Sequence, residues 1–382
     1  MKSNYKRLGD YIRELKTRNS GGTVSELLGI NIDKHFMPSV ANVVGTDLTK
    51  YKVVKKNQFA CNRMHVGRDY RIPIVMSESE TDFIVSPAYD VFEIIDTKVL
   101  LPEYLMMWFG RAEFDRNAWF YTDSDVRGGL SWDAFCNFKL PIPDITQQQA
   151  LVDEYQTIER RIKLNEQLCQ KLEETAQALY RKYFVEDIEP EDLPEGWRWG
   201  KIGEYCLEMK SGGTPSRLNN EYWNKKDYRW LKTGEVRNNI VFDTEEYISK
   251  EGMINSSAKL IPINTVVMAM YGATAAQICF LKCETTTNQA CCNMICDTKD
   301  EAAFLFFHLL FNQDEIKNLA IGGAQENLSQ EMIAEFPIII SDKTNTVFLQ
   351  ILEQLELFEE QNIKLKELLS LLLAKMGRKE ER

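Results

Sequence analysis

The chain has 382 residues, 44% of them apolar and 27% charged, a balance that excludes a disordered or collagen-like chain and is long enough for two or three cores. No apolar run approaches the roughly 20 residues a membrane span needs, and the basic start Met1-Lys2-Ser3-Asn4-Tyr5-Lys6-Arg7 has no apolar stretch behind it, so the expectation is a soluble, cytoplasmic protein. Nine scattered cysteines suit reduced thiols, and a net charge of −11 speaks against a uniformly basic nucleic-acid binder.

In chain order, residues 1–145 form a first globular region. Its opening is basic: residues 1–71 hold 14 Lys/Arg against 6 Asp/Glu, net +8, whereas 72–144 hold 5 against 13, net −8. Arg13, Lys16, Arg18 and Asn19 precede Gly21-Gly22, and Asn62, Arg63, His65, Arg68 and Arg71 form a second basic group. Phe83-Ile84-Val85 and Val91 to Ile95 read as strands, and Pro102 to Phe114 as a helix.

Residues 146–188 read as a long helix. Leu151, Tyr155, Ile158, Ile162, Asn165, Cys169, Leu172, Ala176, Leu179 and Tyr183 recur in steps of four and three, a coiled-coil seam, and Thr146 with Gln149 makes a capping-box pattern. The acidic, proline-bearing stretch Glu186 to Pro194 reads as a linker into a second globular region, 189–341. There, Lys210-Ser211-Gly212-Gly213-Thr214-Pro215-Ser216-Arg217 reads as a flexible, donor-rich loop whose glycine amides approach phosphate, supported by Lys225, Lys226, Lys232 and Arg237. Arg and Asn side chains also pair with base edges, while Trp223 and Trp230 read better as core. Charge again falls along the region, from net +4 over 197–237 (9 against 5) to net −8 over 238–340 (5 against 13). Thr265 to Met270 and Gln277 to Leu281 read as strands, and Glu301 to Asn318 as a helix.

A second long helix, 342–378, carries Phe348, Ile351, Leu355, Phe358, Asn362, Leu365, Leu369, Leu372 and Met376 in the same steps, ahead of a charged tail, 379–382. Each seam holds one Asn. Asn165 and Asn362 either meet in an antiparallel pair, with Leu172 and Leu369 among the pairing apolar residues, or face solvent at local faults. A helix of roughly 35 to 39 residues is about 55 Å long, longer than one small domain.

The chain repeats itself. Leu8-Gly9-Asp10-Tyr11-Ile12 returns as Ile202-Gly203-Glu204-Tyr205-Cys206, Gly21-Gly22-Thr23 as Gly212-Gly213-Thr214, and Leu130-Ser131 as Leu328-Ser329, while Asn165 aligns with Asn362. Catalytic signatures are missing from the sequence: there is no Pro-Pro dipeptide, no G-x-G-x-x-G after a strand and no G-x-x-x-x-G-K-[ST]. Three widely spaced histidines, His35, His65 and His308, suggest no acid–base centre. Cys279, Cys283, Cys291, Cys292 and Cys296 lack a C-x-x-C pair and read as buried small hydrophobes rather than metal ligands.

The run Leu193-Pro194-Glu195-Gly196-Trp197 leading to Gly212-Gly213-Thr214-Pro215, with Leu140-Pro141-Ile142-Pro143 before Gln147 to Gln149 and the first long helix, resembles the specificity subunits of type I restriction-modification systems. The first region departs from the pattern: it has no Pro-Glu-Gly-Trp, and Gly21-Gly22-Thr23 lacks the Pro. The resemblance implies an α+β fold of two pseudo-repeated mixed α/β target-recognition domains separated by two long antiparallel coiled-coil helices. It also implies a non-catalytic reader of a bipartite double-stranded DNA target, partnered by two methyltransferase subunits and by restriction subunits. No cofactor is expected in this chain, and S-adenosylmethionine would bind the partner methyltransferase. Similar domains on a rigid rod suit major grooves about 34 Å apart. A divergent DNA methyltransferase or nuclease, or a coiled-coil adaptor that never touches DNA, remain the other readings.

Overall fold

The computed structural model describes residues 5–39, 45–64, 66–122, 129–186, 188–189, 191–320, 327–341 and 346–377. Met1 to Asn4, His65, Asp187, Pro190 and the tail 379–382 therefore lie outside the described residues. The chain divides into two compact units, Met1–Ile162 with Lys364–Arg382, and Lys163–Ile363, so that each long helix contributes to both.

In the first unit, a four-stranded antiparallel sheet runs in the order Ile12–Leu15, Asp90–Ile94, Phe59–Cys61, Ile74–Met76. Side chains alternate across it, as the two-residue strand period requires. Phe59, Cys61, Phe92 and Ile94 face a core shared with Tyr104, Leu105, Phe109 and Phe114, whereas Ala60 and Val91 face Phe83, Val85 and the hairpin of Leu28–Ile30 with Phe36–Pro38. The helix expected over 102–114 is two helices, Pro102–Phe109 and Ala112–Phe120. Gly110 closes the first by donating to the carbonyls of Met106 and Met107, and Arg111 is extended, tucking its guanidinium against the Trp108 ring at 4.2 Å.

The second unit is built the same way with more strands. A five-stranded sheet has the order Glu208–Ser211, Cys291–Ile295, Val266–Ala269, Ile278–Leu281, Asn239–Val241. Val266, Met268, Ile278, Phe280, Cys292 and Met294 face the helices, while Val267, Ala269, Cys279, Leu281 and Cys291 face Leu231 and Ile261 of a second, four-stranded sheet. That alternation accounts for the cysteines: Cys279, Cys283 and Cys291 fill the space between the sheets, Cys292 lies on the helix side and Cys296 is half-buried. Burial pushes the Cys279, Cys283, Cys291 and Cys292 thiols up, Cys291 to about 12. The helix expected over 301–318 is again two, Lys299–Phe311 and Gln313–Leu319. Asn312 sits at the break, its side chain donating to the His308 carbonyl (2.7 Å) and the Tyr180 hydroxyl (3.0 Å), a local bond that competes with helix continuation.

The sequence repeat has a structural counterpart. Tyr5–Arg7 pairs antiparallel with Lys139–Pro141, and Trp197–Lys201 with Pro337–Ser341, so each unit ties its opening strand to the strand just before a long helix. Leu8 and Ile202 are fully buried behind those pairs, and their amides donate to Phe138 and Phe336 (2.8 and 3.0 Å). Ser131 and Ser329 each cap a short helix by accepting the amide three residues on, at 3.1 Å in both units. The Pro194–Trp197 turn, with Gly196 at φ +83°, delivers Trp197 to a stack on Phe184 (5.1 Å).

The first long helix spans Ile145–Arg181, 37 residues. Asp144, not Thr146, caps it: its carboxylate accepts from the amides of Thr146 and Gln147 at 3.0 Å, and Gln149 instead reaches Asp153. A π turn over Lys182–Glu186 follows, and the extra residue in that turn displaces the seam. Tyr180 and Phe184 are buried where Tyr183 was expected, and Tyr183 is exposed. The second helix spans Thr346–Lys375, 30 residues, with Met376 and Gly377 in a turn beyond it; 342–345 and 378 lie outside the described residues. Asn165 Nδ2 donates to Asn362 Oδ1 at 2.8 Å with both residues buried, which settles the open alternative in favour of pairing. Tyr180 and Phe184, beyond Asn165, meet Phe348, before Asn362, so the pairing is antiparallel. Leu172 packs in the second unit's core, and Leu369 is half-buried.

Candidate nucleic-acid interface

In the second unit, Arg217, Lys225, Lys226 and Arg237 are exposed and Lys232 is half-buried. The stretch from Lys210 to Arg217 is not the flexible cradle its glycines suggested. Lys210 and Ser211 end a sheet strand; Lys210 pairs with Glu208 (2.9 Å) and Ser211 Oγ donates to Gln330 (3.1 Å). Gly212 and Gly213 are buried, and the Gly213 amide donates to the Thr287 carbonyl at 2.8 Å, so it is spent inside the protein rather than offered to phosphate. A Cβ at 212 would overlap the Thr287 carbonyl, and one at 213 would overlap Ser257. Close approach of backbone to backbone is what these glycines permit.

Beyond them, aromatic rings organise the charge. Trp230, in strand Tyr228–Leu231, is core and donates from Nε1 to the Gly213 carbonyl (3.0 Å). Trp223 is half-buried, meets Trp230 edge-on at 5.0 Å and donates to the Ser216 carbonyl (3.1 Å). The Arg217 guanidinium lies 3.6 Å from the Trp223 centroid and 4.8 Å from that of Trp230, and bonds Glu246. The bond from Arg217 holds the Glu246 carboxyl below the usual range. Lys232 pairs with Glu245 (2.6 Å), which raises its pKa, and reaches Glu246 at 3.5 Å. Lys225 is 4.0 Å from Glu251, and Lys226 lies over the Tyr247 ring at 4.6 Å. Arg237 is exposed and its Nε donates to the Gly234 carbonyl. Among the described residues, Lys226 and Arg237 form no ion pair.

In the first unit the expected contacts separate into two kinds. Asn19 is buried: its side chain donates to the Val24 carbonyl (2.8 Å) and accepts the Val24 amide (3.2 Å), closing the turn in which Gly22 adopts φ +62°. Arg63 is also interior, bonded to Asp90 (2.6 Å) and the Leu130 carbonyl with Trp132 5.5 Å away. Both are corrections, because each uses its polar atoms to hold the unit together. Arg13 is exposed but sits directly across the sheet from Glu93, bonding it at 2.8 Å. Lys16 (3.7 Å from Glu14), Arg68 (2.6 Å from Asp69) and Arg71 (3.1 Å from Asp33) are exposed with acidic neighbours, and Arg18 is exposed with no ion pair among the described residues.

Sequence reasoning missed an aromatic patch beside this group. Tyr70, at φ +57°, is exposed and packs on Trp119 at 5.2 Å; Phe120 and Tyr121 are exposed as well. The run Trp119-Phe120-Tyr121 was the available signal, lying just past the helix expected over 102–114. Among the described residues, no group of three or more His, Cys, Asp and Glu is arranged to hold a metal ion.

Comparison with known proteins follows the same architecture. Residues 194–369 match the family model of the type I restriction modification DNA specificity domain. The chain is 23% identical to the Type I restriction enzyme HindI specificity subunit of Haemophilus influenzae, across 88% of this chain and 89% of that protein. It is 29% identical to the Type I restriction enzyme EcoR124I/EcoR124II specificity subunit of Escherichia coli, across 24% of this chain and 23% of that one. The crystal structure of the type I restriction-modification S subunit from M. genitalium has the same fold, with a TM-score of 0.59, 11% identity, and coverage of 98% of this chain and 96% of that one.

Proposed function

We propose that the chain is a type I restriction-modification specificity subunit, in which each unit reads one half of a bipartite double-stranded DNA target while the long helices set the gap. The observation that carries this reading is the duplication: two sheets that share the order of four strands, and in each unit a separate opening-to-closing strand pair that feeds a long helix. Exposed cations on locked structure fit phosphate neutralisation, with Arg217, Lys225, Lys226 and Arg237 in the second unit beside the half-buried Lys232, and Arg13, Lys16, Arg18, Arg68 and Arg71 in the first.

The chain itself is a non-catalytic subunit in this reading. Two methyltransferase subunits dock on it, bind S-adenosylmethionine and flip the target base, and restriction subunits join them, all in the cytoplasm. The acidic net charge is tolerable because those partners share the phosphate grip. The test is co-expression with the neighbouring methyltransferase gene and genome-wide mapping of methylated adenine with and without this chain. Methylation confined to one split motif, and lost without the chain, is expected. An unchanged pattern, with no co-purifying methyltransferase, would overturn the proposal.

A further inference from the structure

The turn Ser216–Asn219 carries the most exposed large apolar side chain among the described residues: Leu218 is 97% exposed, against 76% for Phe120. The Asn219 amide donates to the Ser216 carbonyl (3.3 Å), placing Arg217 and Leu218 at the two corners of the turn. Corner positions favour Gly, Asn, Asp, Ser or Pro for conformational reasons, and leucine gains nothing there from local chemistry.

The turn around Leu218 is locked from both ends. The Gly213 amide and carbonyl are bonded to Thr287 and Trp230, Trp223 holds the Ser216 carbonyl, and Asn219 Oδ1 accepts the Glu221 amide (3.0 Å). Arg217 turns back over the two tryptophans and is tied to Glu246. What the turn presents outward is therefore an isobutyl group on a rigid mount, beside a pre-oriented guanidinium.

We propose that Leu218 is an apolar base-reading contact, packing against the C5 methyl of a thymine in the half-site read by the second unit. The proposal rests on the DNA-reading function above. Phosphates and sugars offer a leucine nothing, whereas the thymine methyl is the apolar feature of the major-groove code. The neighbouring Arg217, Lys225 and Lys226 bring a polyanion to this face. A rigid mount matters because a methyl contact is short-ranged and discriminates bases only if its position is held.

The experiment uses the full complex with its methyltransferase, as wild type, Leu218→Ala and Leu218→Met. Methylation maps give the motif, and binding is measured to duplexes in which each thymine of the second half-site is replaced by uracil, which deletes only the methyl. Wild type is expected to lose about four-fold in affinity at one uracil position, the worth of one buried methyl group. Leu218→Ala should show that loss already on the thymine duplex, no further loss with uracil, and a motif degenerate at that A·T pair alone. Leu218→Met should stay close to wild type. A second half-motif without an A·T pair, or an alanine variant with unchanged motif and full uracil sensitivity, overturns the assignment. So does weakened recovery of the methyltransferase with an unchanged motif, which would make Leu218 a protein contact. Failure of the DNA-reading function shows differently, as absence of any split motif with the wild-type chain.

Discussion

Arg63 and Lys226 carry the same charge and do different work. Arg63 is mostly enclosed, bonded to Asp90 and the Leu130 carbonyl, so Arg63→Ala strands a half-buried carboxylate and is expected to cost about 2 kcal/mol, measured as a lower denaturation midpoint. Lys226 is exposed on the Tyr247 ring; Lys226→Ala should leave that midpoint unchanged and lower the slope of log affinity against log salt by about one. His308 is a third case. It is fully buried between Tyr180 and Pro337, and burial pushes its pKa from 6.5 to about 4. Since the Pro337 carbonyl can only accept, Nε2 carries the proton and Nδ1 accepts from the Tyr180 hydroxyl at 2.8 Å, which itself accepts from Asn312. A depressed pKa means the unfolded chain protonates first. The stabilisation is thus complete above pH 6.5 and is lost as pH falls through about 4, a difference of about 3 kcal/mol. Denaturation curves between pH 7 and 4 should show this loss for wild type, and His308→Gln should remove that component.

At the scale of elements, the Asn165–Asn362 bond marks one register of the antiparallel helices. Asn165 Oδ1 is buried and makes no hydrogen bond among the described residues, so the pair is retained at some cost in stability. Asn165→Leu alone should destabilise by leaving Asn362 without its donor. The double change Asn165→Leu with Asn362→Leu should recover that loss and exceed wild type by about 1 kcal/mol in chemical denaturation. These seams were legible in the sequence because a repeating apolar period is a local property, and so was the Leu130-Ser131 to Leu328-Ser329 repeat, whose serines cap helices in the structure. The end of the first seam was not, because the π turn that buries Phe184 answers to a neighbouring aromatic cluster, not to spacing. Gly212 and Gly213 were misread for a related reason: a glycine signals only the lack of a Cβ, and whether protein or ligand fills the space depends on the distant strand Thr285–Thr287. Arg63 and Asn19 likewise displayed their polarity but not their partners.

For the whole molecule, the central claim is that recognition is modular. Both halves of the sequence begin basic and end acidic, and both fold into a sheet with helices on one face and a smaller strand layer on the other. Because each unit holds its own core, exchanging one should leave the other's specificity intact. The most direct measurement is the methylation map of a chimera in which residues 1–145 come from a second specificity subunit with a different target. Modular reading predicts that one half of the split motif changes to that of the donor while the other half is retained. A motif that changes in both halves, or in neither, in a chimera that still assembles with the methyltransferase would contradict it.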